Sequence, residues 1–217
     1  VFARENHNVL QNPKVRNIVQ DGRNHLLTTA KRYDVITAEP PPPHAVNTVN
    51  LYTREYYEQA MSRLKPGGIL AQWIPLHSQS EREVAMHFRT FRSAFPHVMG
   101  WLPVANEMIL IGSDRPIALD FQKIKERVEE PSVLIDLADI HIKNIFSFLG
   151  NIWFLEEQLG RLGAGKPIIE DNHPYIEFYL DYPDIIGVPG LEKIMFNRAP
   201  FEDIAQRITN LPDNDRP

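Results

Sequence analysis

The stretch that decides the fold reads YDVITAEPPPP and occupies residues 33–43. A short run rich in β-branched side chains and bounded by prolines predicts a strand over residues 33–38. Upstream, VRNIVQ at residues 15–20 lies between Asn-Pro and Asp-Gly turn signals and predicts an earlier strand. Residues 23–31 have helical length and composition, so the order is strand, helix, strand.

The alternation continues downstream. Residues 53–64 carry apolar side chains at helical spacing and predict a helix, which a Pro-Gly-Gly sequence ends, and residues 69–74 predict the next strand. Ser80 followed three residues later by Glu83 is a capping-box pattern that predicts the start of another helix.

Two further runs, at residues 98–104 and 107–112, are separated by two residues and predict an antiparallel pair. Strands that alternate with helices indicate an α/β fold built on a doubly wound, mostly parallel sheet. The antiparallel pair then forms the end of that sheet.

The pattern becomes mainly helical after this pair. We therefore expect residues 1–113 to form the sheet domain and residues 114–217 to form a helical extension packed on it. The most apolar stretch, residues 145–155, is interpreted as a core helix, and the alternating residues 175–180 as a short strand. The tail, residues 210–217, is expected to fray.

Composition excludes several classes of function. The 217 residues include 23 Lys and Arg against 28 Asp and Glu, a net charge of −5, which disfavours nucleic-acid binding. There is no Cys, so disulfides, thiolate metal sites and Cys nucleophiles are absent. No run approaches the roughly 18–20 apolar residues of a membrane span. The chain starts at Val1 rather than Met, and we expect the natural protein to begin earlier.

Two acidic residues follow predicted strands, where open α/β sheets bind ligands. Asp21 precedes Gly22; the carboxylate could accept a hydrogen bond from an exocyclic amine, or the pair could form an ordinary turn. Glu39 precedes four prolines that stiffen the loop, so its carboxylate could orient an amine and relay its proton. The alternative for Glu39 is a solvated side chain.

Other candidate sites have less support. The eight His residues include no HxxxH or HExxH spacing, so no metal site is predicted. Ser78 and Ser80 lie near His77, but no GxSxG elbow frames either one. The polar residues 171–173 precede a proline and favour a turn.

Four stretches taken together resemble the spermidine synthase superfamily. The similarity is greatest to bacterial spermidine-synthase-like proteins, in which such a domain is often joined to a membrane region. The stretches are DGRNHLL at 21–27, YDVITAEPPPP at 33–43, LYTREYYEQAMSRLKPGGILAQW at 51–73 and EDNHPYIEF at 170–178. The resemblance implies a Rossmann-like fold shared with class I methyltransferases. It also implies S-adenosylmethionine or its decarboxylated form as co-substrate, with no permanently bound cofactor.

The resemblance also implies roles for single residues. Asp21 and Gly22 would contact the adenine, Glu39 would be catalytic, and Gln72 and Asp171 would bind the substrate. In true spermidine synthases the strand ends in a catalytic Asp, with a second Asp three residues later; here these positions are Glu39 and Pro42. Losing the second carboxylate weakens recognition of the far ammonium of a diamine. The family's Gly-rich loop and ribose-binding acidic residue would precede this chain.

The resemblance predicts aminopropyl transfer from decarboxylated S-adenosylmethionine to a small-molecule amine, incomplete in this chain alone. The alternatives are a methyltransferase that uses S-adenosylmethionine and a non-catalytic binding or assembly module. We expect a cytoplasmic homodimer, with a possible membrane region upstream. We expect a dimer because members of the superfamily commonly form dimers and because residues 145–162 carry many large apolar side chains.

Overall fold

The computed structural model describes residue 6, residues 8–178 and residues 191–212. Its contacts divide the chain into two compact units, Val1–Ala30 and Lys31–Pro217. The first unit contains a 3₁₀ turn at Val9–Gln11 and helix α1 at Gly22–Thr28. The helix predicted after residue 22 is therefore confirmed, although it ends earlier than expected.

The strand predicted for residues 15–20 is wrong. These residues have no regular structure, and Val19 is 96% exposed. The strand preference of β-branched residues depends on pairing and burial. Among the described residues, this run pairs with no strand.

The second unit carries the sheets and the remaining helices. In chain order its elements are β1 (Tyr33–Ala38), a 3₁₀ turn (Val49–Leu51), α2 (Arg54–Ser62), β2 (Leu64–Pro75), α3 (Glu81–Ala94), β3 (His97–Val104), β4 (Glu107–Ser113), β5 (Leu119–Asp120), α4 (Phe121–Val128), α5 (Pro131–Ala138), α6 (Ile145–Leu149), β6 (Ile152–Phe154), α7 (Glu156–Gly163), α8 (Tyr175–Phe178), α9 (Leu191–Phe196), α10 (Phe201–Ala205) and β7 (Ile208–Thr209).

The central sheet has the strand order β1, β2, β4, β3, β6. Strands β1 and β2 run parallel, with Ile36 opposite Leu70 and Ala38 opposite Gln72. The other pairings in this sheet are antiparallel, and β5 and β7 form a separate parallel pair. The α/β class and the antiparallel hairpin are confirmed, and the mixed sheet is consistent with a Rossmann-like, methyltransferase-type fold. The hairpin does not form the end of the sheet, because β6 pairs with β3 beyond it.

Helix α3 follows the predicted pattern. Its capping box is present: the Glu83 backbone N–H donates to Ser80 Oγ at 3.2 Å, and the Ser80 backbone N–H donates to the Glu83 carboxylate at 2.6 Å. Its apolar stripe packs on the sheet, where the hydrogens of Gly112 face the ring of Phe95. A Cβ at position 112 would lie 2.5 Å from that ring, so the close approach of helix and strand requires glycine.

The apolar run at residues 145–155 is only partly helical. Helix α6 ends at Leu149, and β6 then joins the sheet beside β3. Apolar periodicity does not distinguish a buried strand from a buried helix, and Gly150 with Asn151 separates the two. Ile145, Leu149 and Leu159 are buried within this chain. Most of the apolar side chains that were expected at a dimer interface therefore lie in the hydrophobic core.

The end of the chain differs from the expectation. Residues 175–178 form helix α8 rather than a strand, and residues 179–180 lie outside the described residues. The fraying predicted for the tail falls largely on residues 213–217, which also lie outside them. The division at residue 113 stays a prediction. None of the helices in the described ranges has the length and apolar content needed to span a bilayer.

Candidate functional site

The ends of two parallel strands define the candidate site. Ala38, the last residue of β1, lies opposite Gln72 of β2. Glu39 follows directly and is exposed. Parallel sheets bind ligands outside the carboxyl ends of their strands, so the predicted catalytic carboxylate occupies a suitable position.

The proline loop after Glu39 is fixed by a tyrosine. The hydroxyl of Tyr52 donates to the carbonyl of Pro41 at 3.1 Å and to that of Pro40 at 3.4 Å. Tyr52 is fully buried, and this burial raises the pKa of its hydroxyl. Tyr56 and the negative charge of Glu39 raise that pKa further, which indicates that the Glu39 carboxylate lies near Tyr52.

Gln72, a predicted substrate-binding residue, is fully buried. Its Nε2 donates to the carbonyl of Trp73 at 3.2 Å. Its Oε1 has no hydrogen-bond partner among the described residues. A buried carbonyl oxygen without a donor is costly, and this one lies on the residue paired with Ala38.

A buried polar pair lies behind Tyr52. The ring of His87 meets the ring of Tyr52 edge-on, with 5.2 Å between centroids, and His87 Nε2 lies 2.8 Å from Gln79 Oε1. Since the Gln79 amide nitrogen donates to the carbonyl of Pro75, its oxygen is the acceptor and His87 Nε2 carries the hydrogen. Burial lowers the pKa of His87 to about 3, so the ring is neutral.

The loop after β2 holds a second polar cluster. His77 Nε2 lies 3.8 Å from Glu107 Oε1, and the Trp73 indole donates to the other oxygen of Glu107. His77 Nδ1 lies 3.3 Å from Ser78 Oγ. Burial lowers the pKa of His44; the negative charge of Glu83 opposes this shift, and His77 adds to it. Ser80 is occupied by its capping role, as predicted.

Asp171, the other predicted substrate-binding residue, connects the C-terminal part of the chain to α2. Its Oδ1 accepts a hydrogen bond from Thr53 Oγ1 at 2.7 Å, and its backbone N–H donates to Glu55 Oε2 at 3.1 Å. Thr53 follows Tyr52 directly, so Asp171 lies at the same end of α2 as the anchor of the proline loop. The turn expected at residues 171–173 is present.

Asp21 and Gly22 lie in the first unit, where Asp21 caps helix α1. Asp21 Oδ1 accepts the Asn24 backbone N–H at 2.8 Å. An ideal Cβ at Gly22 would meet no atom within 4 Å, so the chain's own packing does not require glycine there. The adenine-binding role of this pair stays a prediction.

The structure therefore brings Glu39 and Gln72 together near the carboxyl ends of the two parallel strands, β1 and β2. The sequence analysis missed Tyr52, Gln79 and His87. A signal was present only at His87, which interrupts the apolar run of residues 84–88, because buried polar groups need partners. Within the described ranges, no three His, Asp or Glu side chains are grouped to hold a metal ion.

Comparisons with known proteins find similarity to a family model and to a curated protein. A family model for the spermine/spermidine synthase domain matches residues 2–108. The chain is 26% identical over 211 residues to Polyamine aminopropyltransferase 2 of Pseudomonas aeruginosa, covering 89% of this chain and 54% of that protein. The chain thus spans about half the length of this relative.

A solved structure agrees at the level of the fold. The crystal structure of a probable spermidine synthase from Corynebacterium glutamicum superposes with a TM-score of 0.55. The superposition covers 78% of this chain and 59% of that chain, at 19% sequence identity.

Proposed function

We propose that this chain, which is spermidine-synthase-like in sequence and fold, forms part of an aminopropyltransferase acting on a small-molecule amine. The donor would be decarboxylated S-adenosylmethionine, used as a co-substrate. The observation that carries the proposal is the carboxylate of Glu39 at the end of β1, beside the fully buried Gln72 of β2.

Glu39 would act on the attacking amine. The amine nitrogen forms a bond to the methylene carbon attached to the sulfonium, while the carbon–sulfur bond breaks and its electron pair leaves with sulfur as a neutral thioether. One N–H proton of the amine passes to the Glu39 carboxylate. The donor carries its own electrophile, so the protein contributes alignment and a proton acceptor.

Gln72 would hold the amine in line. Its Oε1 lacks a donor among the described residues, and an amine N–H could supply one. Asp171 is proposed for the same substrate, supported by its bond to Thr53 beside the site. Pro42 occupies the position of the family's second carboxylate, which favours an acceptor with a single charged amine over a diamine.

The nucleoside half of the donor would contact Asp21 and Gly22. An Asp carboxylate can accept a hydrogen bond from the exocyclic amine of adenine, and Gly22 has no side chain to keep a flat ring away from the backbone. We also propose a homodimer and a cytoplasmic location, with a membrane region possible elsewhere in the full-length protein. Phe146 and Ile135 are 54% and 71% exposed, which supplies apolar surface for such a contact.

The test compares Glu39→Gln with the unmodified full-length protein. Supplied with decarboxylated S-adenosylmethionine and a panel of amines, the unmodified protein should release the thioether nucleoside. Glu39→Gln should lower kcat by ~10²–10⁴-fold, the usual worth of a general base. Glu126→Gln, the same change on an exposed helix residue, is the control and should leave kcat unchanged.

The outcomes separate the candidate functions. Turnover only with S-adenosylmethionine would indicate a methyltransferase instead. Binding of neither donor in a calorimetric titration, together with identical behaviour of Glu39→Gln, would indicate a non-catalytic module and overturn the proposal.

A further inference from the structure

The proline loop that follows Glu39 has no backbone donors of its own, although the carbonyl of Pro42 accepts the Ala45 N–H at 2.9 Å. Pro40 to Pro43 have no N–H groups, so the loop can be tied to the fold only through its carbonyl oxygens or by packing. Pro40 and Pro43 are buried, whereas Glu39 and Pro41 are exposed. An exposed carboxylate at the head of such a loop needs an anchor if it is to meet a substrate at a fixed distance.

Tyr52 supplies that anchor. Its hydroxyl hydrogen is shared between the carbonyls of Pro41, at 3.1 Å, and Pro40, at 3.4 Å. These are the two residues that directly follow Glu39. We propose that Tyr52 is a positioning residue for Glu39, an inference that rests on the function proposed above.

The anchor is itself immobilised by buried neighbours. Tyr52 is fully buried and meets His87 edge-on, and His87 is bound through Nε2 to Gln79 at 2.8 Å. The Gln79 amide donates to the carbonyl of Pro75, the last residue of β2. One buried chain of side chains therefore links the loop after β1 to the end of β2.

The hydroxyl also keeps its proton. Burial and the nearby charge of Glu39 disfavour ionisation of Tyr52, because a tyrosinate would be both desolvated and repelled by the carboxylate. The Tyr52 hydroxyl therefore remains a donor throughout the working pH range. A phenylalanine at position 52 would fill the same space and leave the carbonyls of Pro40 and Pro41 without this hydrogen-bond donor.

The chain offers a matched control in Tyr57. This second tyrosine is also fully buried and packs edge-on against Phe91, with 5.0 Å between centroids. Its hydroxyl has no hydrogen-bond partner among the described residues. Tyr52→Phe and Tyr57→Phe thus remove the same atom from two buried rings, and only the first removes an anchor.

The experiment is a double-mutant cycle in the full-length protein with Glu39→Gln. Tyr52→Phe should lower kcat by at least about 10-fold, since small misplacements of a catalytic group cost up to 10²-fold, and it should leave KM for the nucleoside donor unchanged. In the Glu39→Gln background the same change should alter kcat by less than twofold, because a residue that acts through Glu39 has nothing left to position. Tyr57→Phe should stay within twofold in both backgrounds.

A second measurement does not depend on turnover. In protein labelled with ¹³C at proline carbonyls, Tyr52→Phe should shift the Pro40 and Pro41 resonances, and Tyr57→Phe should leave them in place. An equal fold-loss from Tyr52→Phe in both backgrounds, or unshifted Pro40 and Pro41 carbonyls, would overturn the proposal. If the unmodified protein transfers nothing, the proposed function falls and the positioning role with it, while the carbonyl shifts still decide whether Tyr52 anchors the loop.

Discussion

The buried histidine should make the stability of this protein depend on pH in a calculable way. His87 is fully buried, and burial lowers its pKa from 6.5 to about 3 in the folded chain. The unfolded chain therefore binds one more proton than the folded chain at pH values between these two. The folded pKa is the lower one, so the stabilisation is complete above pH 6.5 and is lost as the pH falls.

The size of the effect follows from proton linkage. At pH 5 the imidazole is almost fully protonated in the unfolded chain and almost fully neutral in the folded one. The free energy of unfolding should then fall by about 2 kcal/mol between pH 8 and pH 5, from this group alone. By pH 4 the loss should reach about 3 kcal/mol. A loss of this size is a substantial part of the 5–15 kcal/mol that typically stabilises a domain.

Urea denaturation followed by circular dichroism at pH 8 and pH 5 measures this loss. His87→Gln removes the titrating ring and keeps an N–H donor for Gln79, so it should lose about 2 kcal/mol less than the unmodified chain over that range. His141→Asn is the control, because this histidine is exposed and has φ 63°, a conformation that asparagine tolerates. The stability that this variant loses between pH 8 and pH 5 should equal the loss in the unmodified chain. Equal losses in the unmodified chain and His87→Gln would refute the reasoning.

Two further predictions concern packing and buried polar groups. Gly112→Ala should lower the free energy of unfolding by about 1–3 kcal/mol, since its Cβ would lie 2.5 Å from the Phe95 ring. Gly22→Ala, whose added Cβ would contact no other part of the fold within 4 Å, should change the free energy of unfolding by less than about 0.5 kcal/mol. Thr90→Val should cost about 1–3 kcal/mol because Thr90 Oγ1 accepts the backbone N–H of the fully buried Ile169 at 2.9 Å. Thr90→Ser keeps that acceptor and should lower the free energy of unfolding by less than Thr90→Val does. Urea denaturation measures the difference between the two glycine variants and between the two Thr90 variants.

The elements predicted correctly are those whose signals are local. The start of α3 is encoded in the Ser80 and Glu83 pair, and the hairpin of β3 and β4 in two strand patterns separated by two residues. The failures at residues 15–20 and 175–178 come from β-branched content and from alternation, two patterns that do not specify a partner strand. A strand forms only where another strand or a core receives it.

In the candidate site, too, the features with a local sequence signal could be predicted and the others could not. The position of Glu39 could be predicted because a strand pattern ends immediately before it. The anchoring by Tyr52 could not, because its bonds to Pro40 and Pro41 depend on how a loop folds back over the start of α2. The contact between Tyr52 and His87 spans two helical segments and leaves no spacing to detect.

The bond between Thr53 and Asp171 bears on the order in which the chain can fold during synthesis. It joins residues 118 positions apart, and the backbone N–H of Arg54 also donates to the carbonyl of Ile169. When the chain has emerged from the ribosome as far as residue 113, strands β1 to β4 are complete, yet the first turn of α2 still lacks these partners. The turn beside the proline loop is therefore completed only after the segment around residue 170 has emerged.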